Sequence, residues 1–155
     1  MNKQQLNRVI DQAKQVCAFS GGRLTEKRSS VLGILLTSST PLSAYEIADT
    51  YNNACENHIP TMSVYRILEF LEAEDLVRKL STTKNYVACS HITCSHPHKV
   101  PQFLICSKCQ SVEEISISKS IIDELSKLVS KAGYTLTQLQ LELQCLCNYC
   151  SAKLT

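Results

Sequence analysis

The sequence predicts an α+β chain of two modules: an N-terminal winged helix-turn-helix, residues 1–87, and a small α/β module with a four-cysteine zinc site, residues 88–155. Apolar stripes of helical period are followed by a short β-prone pair around a polar turn, the element order of a winged helix. Two Cys-x-x-Cys pairs then flank a strand-helix-strand pattern. The stretch CSHITCSHPHKVPQFLICSKC, residues 89–109, also holds four of the chain's nine cysteines and three of its four histidines.

A length of 155 residues with 44% apolar content suits one good core or two small modules. No window is apolar enough to span a bilayer, and MNKQQLNRVIDQAKQV is too polar for a secretory signal, so the expected location is the cytoplasm. In a reducing cytosol an odd set of nine cysteines with Cys-x-x-Cys spacings reads as metal binding ahead of disulfides or redox chemistry. The net charge of +2 neither demands nor excludes a nucleic-acid partner.

Residues 3–19 place Leu6, Val9, Ile10, Ala13 and Val16 on one helical stripe, ended by Gly21 and Gly22. Thr25 is positioned to cap a second helix with Val31, Leu32, Leu35 and Leu36 on one face. Ser43 with Glu46 forms a capping box for a third. TMSVYRILEFLEAEDLV is a fourth, with Val64, Ile67, Leu68 and Leu71 inward and Ser63, Tyr65, Arg66 and Glu69 nearer solvent. LVRKL and NYVAC read as a hairpin around STTK, and the modules meet near residues 85–90.

In the second module QFLIC and SVEEISI read as strands around a Cys-x-x-Cys knuckle. Ser120 with Asp123 is expected to cap a helix bearing Ile121, Ile122, Leu125, Leu128, Val129 and Ala132, stopped by Gly133. LQLELQC alternates as a half-buried strand through Leu139, Leu141 and Leu143, while Tyr134 and Leu136 fall out of phase, so pairing should break between them.

Cys106, Cys109, Cys147 and Cys150 can present four thiolates in a tetrahedron, which suits a closed structural zinc site. Cys145 offers a competing Cys-x-Cys spacing, and Cys17 and Cys55 read as buried or incidental thiols. A second cluster, Cys89, His91, Cys94, His96 and His98, lies at the join between modules, where a bound ion would fix their relation. Imidazole with one thiolate suits zinc, and also nickel, copper or cobalt. Glu113 and Glu114 follow on a strand of alternating faces, so one of the two is expected to face that cluster.

The fourth helix is expected to enter a DNA major groove with Ser63, Tyr65 and Arg66 exposed, while Arg23, Lys27 and Arg28 grip the phosphate backbone. Glu69, Glu72, Glu74 and Asp75 confine that footprint and make binding salt-sensitive.

RLTEKR, SAYEIAD, PTMSVYRILEFLEAEDLV, and CSKC followed by CNYC together resemble the ferric uptake regulator family, and most closely its zinc uptake regulator branch. The resemblance covers nearly the whole chain. It implies a homodimer, a winged-helix reading head, a C-terminal dimerisation domain and metal-dependent repression of metal-uptake genes, with no enzymatic activity. By position the family's structural zinc ligands fall on Cys106, Cys109, Cys147 and Cys150. Its regulatory zinc ligands fall on Cys89, on His98 or His96, and on Glu114. Arg78 stands where zinc-branch relatives carry a histidine, and a guanidinium cannot bind a cation, so His96, His91 or Cys94 must complete the set, or water does.

The expected function is a zinc-responsive repressor of zinc uptake genes, with one structural and one regulatory zinc per subunit and double-stranded operator DNA as partner. The competing readings are a sensor of iron, manganese, nickel or peroxide on the same fold, a thiol redox protein, and a zinc-stabilised interaction module. CSKC lacks the preceding βαβ pattern that a thioredoxin-like dithiol needs, which disfavours the redox reading.

Overall fold

In the computed structural model of the chain, which describes residues 1–93 and 101–153, side-chain caps set where the N-terminal helices begin. Asn2 and Gln5 cap each other's backbone amides ahead of α1 (Lys3–Phe19). Thr25 caps α2 (Glu26–Thr37), and the expected Ser43–Glu46 box precedes α3 (Ala44–Ala54), with bonds of 2.7 and 3.2 Å. Pro60, whose ring pre-sets φ near a helical value, leads into α4 (Thr61–Ala73) without a side-chain cap.

Left-handed residues end α1 and α4 and redirect the chain. Gly21, at φ +84°, lets the Gly22 amide reach back 2.8 Å to the Cys17 carbonyl. Asp75, at φ +57°, does the same after α4, where the Leu76 amide reaches the Leu71 carbonyl at 2.9 Å. The hairpin of β1 (Val77–Lys79) and β2 (Tyr86–Ala88) follows, antiparallel with Val77 opposite Ala88. Leu42 adds an isolated bridge to Tyr86.

The chain divides into two units, Met1–Ser95 and His96–Thr155. In the first, Ala13 and Cys17 of α1 share one core with Val31, Leu32 and Leu35 of α2. Ile47 and Tyr51 of α3, Val64, Leu68 and Leu71 of α4, and Val77 and Tyr86 of the hairpin complete it. Three helices plus a wing packed this way make a winged helix-turn-helix, preceded by α1. The sequence places the join at 87/88, whereas Cys89 and Ile92 are buried in this first core.

The second unit holds β3 (Gln102–Cys106), β4 (Val112–Ile115), α5 (Lys119–Lys131), β5 (Glu142–Cys145) and the short α6 (Asn148–Ala152). Its sheet has the order β4-β3-β5, with β3 antiparallel to β4 and parallel to β5. The parallel pairing needs a crossover, and α5 supplies it.

Two local expectations are corrected. Ser118, not Ser120 with Asp123, occupies the N-cap of α5, and its hydroxyl bonds the Ser120 hydroxyl at 2.9 Å instead of capping a backbone amide. The last strand begins at Glu142, not Leu139, because the stretch before it is held by a side chain. Gln102, 1% exposed, donates from its amide to the Leu139 carbonyl (2.9 Å) and accepts from the Leu141 amide (2.7 Å). This bidentate clamp adds to the backbone bond from the Phe103 amide to the Leu141 carbonyl (2.9 Å) at the entry to β5.

Gln102→Leu keeps the bulk but leaves both backbone groups without that partner. Chemical denaturation followed by circular dichroism should show a loss of about 1–3 kcal/mol.

Candidate metal centre and reading helix

Parallel pairing of β3 with β5 sets Cys106 opposite Cys145, so both strands end at the same edge of the sheet. Each then leads into a Cys-x-x-Cys segment. After β3 the chain reverses through Gln110 at φ +60°, whose amide returns 2.9 Å to the Cys106 carbonyl while the Cys106 amide bonds the Ser111 carbonyl. After β5, Cys147 takes the N-cap position of α6 and Cys150 lies in its first turn.

The outcome is four sulfurs, of Cys106, Cys109, Cys147 and Cys150, all within 4.8 Å of one another, with Cys109 and Cys147 at 3.8 Å. A tetrahedral zinc with metal–sulfur bonds of about 2.3 Å has sulfur–sulfur edges of about 3.8 Å, so these residues fit that ion. Cys145 is not among them. Its thiol is turned to the Ile105 and Leu143 carbonyls, at 3.7 and 3.5 Å.

Hydrogen bonds already sort the four thiols. Donation from the backbone amides of Cys109 and Cys147, the latter at 3.4 Å, brings Cys106 down to about 6. Cys109 is also lowered, first by the Ser111 hydroxyl 3.1 Å away. Burial, followed by the neighbouring sulfurs, pushes Cys150 up to about 12. At neutral pH the tetrad therefore offers a ready thiolate at Cys106 and must shed a proton from Cys150 to close on a cation.

The second set of expected ligands is divided. Cys89, 3% exposed, belongs to the first unit, its amide bonded to the Leu76 carbonyl at 2.9 Å, with half-buried His91 two residues on. Glu114 belongs to the second, half-buried on β4 opposite Phe103, while Glu113 is exposed. Cys94, His96 and His98 lie outside the described residues. Arg78 is ion-paired to Asp75 at 2.7 Å, so its guanidinium is committed to a salt bridge within the first unit. Cys17 is a core thiol, pushed up by burial and then by the Glu74 carboxylate, and Cys55 ends α3.

On α4, Val64, Leu68 and Leu71 face the core, Arg66 is exposed, and Ser63 and Tyr65 are half-buried. The Tyr65 ring meets Tyr45 of α3 edge-on, with centroids 6.5 Å apart. Arg23 and Lys27 are exposed, as a backbone grip requires, but Arg28 is partly committed elsewhere. Its guanidinium lies 3.5 Å over the Phe70 ring, and one nitrogen donates to the Arg23 carbonyl at 2.6 Å. Arg28 thus ties the turn between α1 and α2 to α4, assisted by the Ser20 hydroxyl bonding Glu74. Gly22 sits so close that a Cβ there would meet Glu74 Oε1 at 2.9 Å and Phe70 at 3.2 Å. Helical spacing reads Phe70 as one more apolar residue, and no sequence signal marks it as the partner of Arg28.

Residues 20–144 match the Ferric uptake regulator family. The chain belongs to the ferric uptake regulator family. It is 31% identical to the zinc uptake regulation protein of Escherichia coli (strain K12) over 150 residues, covering 97% of this chain and 85% of that protein. Among solved structures it is similar to a zinc uptake regulator complexed with zinc and DNA, at TM-score 0.83 and 29% identity over 96% of each chain. Holo XcZur is likewise similar, at TM-score 0.78 and 32% identity over 94% of this chain and 99% of that one. No helix among the described residues is long and apolar enough to cross a membrane.

Membership of this regulator family makes metal content a direct readout of the tetrad. Cys109→Ser should lower bound zinc, measured by elemental analysis, by about one ion per chain, whereas Cys145→Ser should leave it unchanged. Acid should release that ion, because ligands bind as thiolates. Release should grow as the pH falls and should be visible by a chromogenic chelator.

Proposed function

We propose that this chain is a cytoplasmic, zinc-responsive transcriptional repressor that binds operator DNA as a metal-loaded homodimer and controls zinc uptake genes. The observation that carries the reading is the likeness, along almost the whole chain, to a zinc uptake regulator complexed with zinc and DNA. The four-sulfur cluster and the exposed face of α4 support it independently.

Cys106, Cys109, Cys147 and Cys150 would hold the structural zinc and join the ends of β3 and β5. When bound, that ion supplies a redox-inert tetrahedral cross-link. Cys89, His98, His96 and Glu114 would form the regulatory set, with His91 and Cys94 in reserve because Arg78 fills the place of an imidazole. Cys89 belongs to the first unit and Glu114 to the second, so closing this set on a cation would join the reading head to the dimer module. The liganded chain would then be restricted to conformers that fit two half-sites of a pseudo-palindromic operator, a selection from a broader ensemble.

Dimerisation has its own support. No residue of α5 is buried, although Ile121, Ile122, Leu125, Leu128 and Val129 share one face, with Ile121 51% and Leu128 57% exposed. An apolar stripe of this kind is what a second copy would cover. In the reading head, Arg66, Tyr65 and Ser63 would meet base edges or nearby phosphates, and Arg23 and Lys27 would hold the backbone. Arg28 would act partly through its tie to Phe70.

A sensor of iron, manganese or nickel, or of peroxide, would use the same fold, but a thiolate at Cys89 favours zinc over a harder cation. Cys89→Ser should cost about one zinc per chain by elemental analysis and abolish zinc-dependent operator binding, while the tetrad keeps its ion. Arg66→Ala should weaken operator binding by about 1–3 kcal/mol in a fluorescence anisotropy titration, with metal content unchanged. Retained zinc response in the first variant would remove Cys89 from the switch, and full affinity in the second would remove α4 from the groove.

A further inference from the structure

The exposed face of α4 begins with a residue to which no role has been given. Met62, 66% exposed, lies in the first turn, three and four residues ahead of Tyr65 and Arg66. Positions at that separation are neighbours on a helix surface, with Cβ atoms about 5–6 Å apart. Met62, Arg66 and Glu69 are exposed along one side of α4, while Val64, Leu68 and Leu71 are buried on the other. A long apolar side chain therefore stands in front of the cation that is to enter the groove.

It has company. Tyr45, 64% exposed at the start of α3, packs edge-on against Tyr65, so two aromatic rings border the same end of the helix pair. Large apolar groups gathered at the front of a reading helix match one feature of the major groove, the C5-methyl group of thymine. The N-terminal residues of a recognition helix are those that reach base edges. Methionine suits the task, because its unbranched, polarizable thioether adapts to a small apolar surface.

We propose that Met62 is a specificity-determining residue that reads a thymine methyl group in each operator half-site. This inference rests on the DNA-binding reading above. Arg66 then supplies attraction and polar contacts, while Met62 discriminates thymine from the other bases by apolar contact one turn closer to the helix start. Truncating Met62 removes no core packing, since the side chain is largely in solvent, so the fold is retained in the variant.

The test uses the zinc-loaded full-length protein and a duplex it selects from a random-sequence library. Each thymine of that duplex is replaced in turn by deoxyuridine, which deletes one methyl group and nothing else. At one thymine per half-site the wild-type protein should lose about fourfold in affinity, the worth of one buried methyl group. Met62→Ala should bind the original duplex more weakly and show no further loss on deoxyuridine at that position. Met62→Leu should retain part of the sensitivity. If no thymine matters, or if Met62→Ala is as sensitive to every deoxyuridine as the wild type, Met62 does not read the methyl group and the inference is overturned. If the wild-type protein selects no duplex, the DNA-binding reading fails as well, which separates the two failures.

Discussion

The second unit depends on the convergence of four thiols at the ends of two parallel strands. Its sheet has three strands, and its buried residues are few, chiefly Gln102, Phe103, Ile105, Cys106 and Cys150. Modules of this size rarely gain enough from apolar burial alone and recruit a metal, a disulfide or a partner subunit. Here α5 leaves its apolar face uncovered, so a metal cross-link at one end of the sheet and a second copy against the helix would supply complementary parts of what the core lacks. The geometry is self-consistent: without parallel β3–β5 pairing, the two Cys-x-x-Cys segments would not leave the sheet at the same edge. Gln102 protects that pairing by bonding the strand entry through its side chain.

The reading head is built on a different principle. Capped helices and a continuous apolar core from Ala13 to Ile92 hold it. Its charged groups divide into those spent on the fold and those left for a partner. Arg28 stacks on Phe70, and Arg78 pairs with Asp75, so both cations are engaged internally. Arg66, Arg23 and Lys27 remain at the surface. With a net charge of only +2, DNA affinity must come from this local arrangement more than from bulk attraction.

Much of this was legible because the signals are local. A Ser–Glu pair three residues apart, a helical stripe, and a β-prone pair around STTK act within one turn or one hairpin, and the structure follows them at α3, α4 and the wing. The tetrad was legible for a related reason: two-residue spacing is itself a geometric statement about a turn. What escaped depends on partners remote in sequence. Gln102 bonds the entry to β5 from 39 residues away, and Phe70 of α4 takes up Arg28 at the start of α2. Cys89 and Ile92 join the first core by tertiary packing, which no composition shift near residue 87 announces.

The central claim is that DNA binding is governed by an exchangeable ion while the tetrad stays filled. Operator binding by the full-length dimer, titrated against buffered free zinc with tetrad occupancy followed in parallel, tests it most directly. Affinity should rise steeply over a zinc range in which the tetrad's content does not change. An affinity that stays flat across that range, or that follows loss of the tetrad ion alone, would contradict the account.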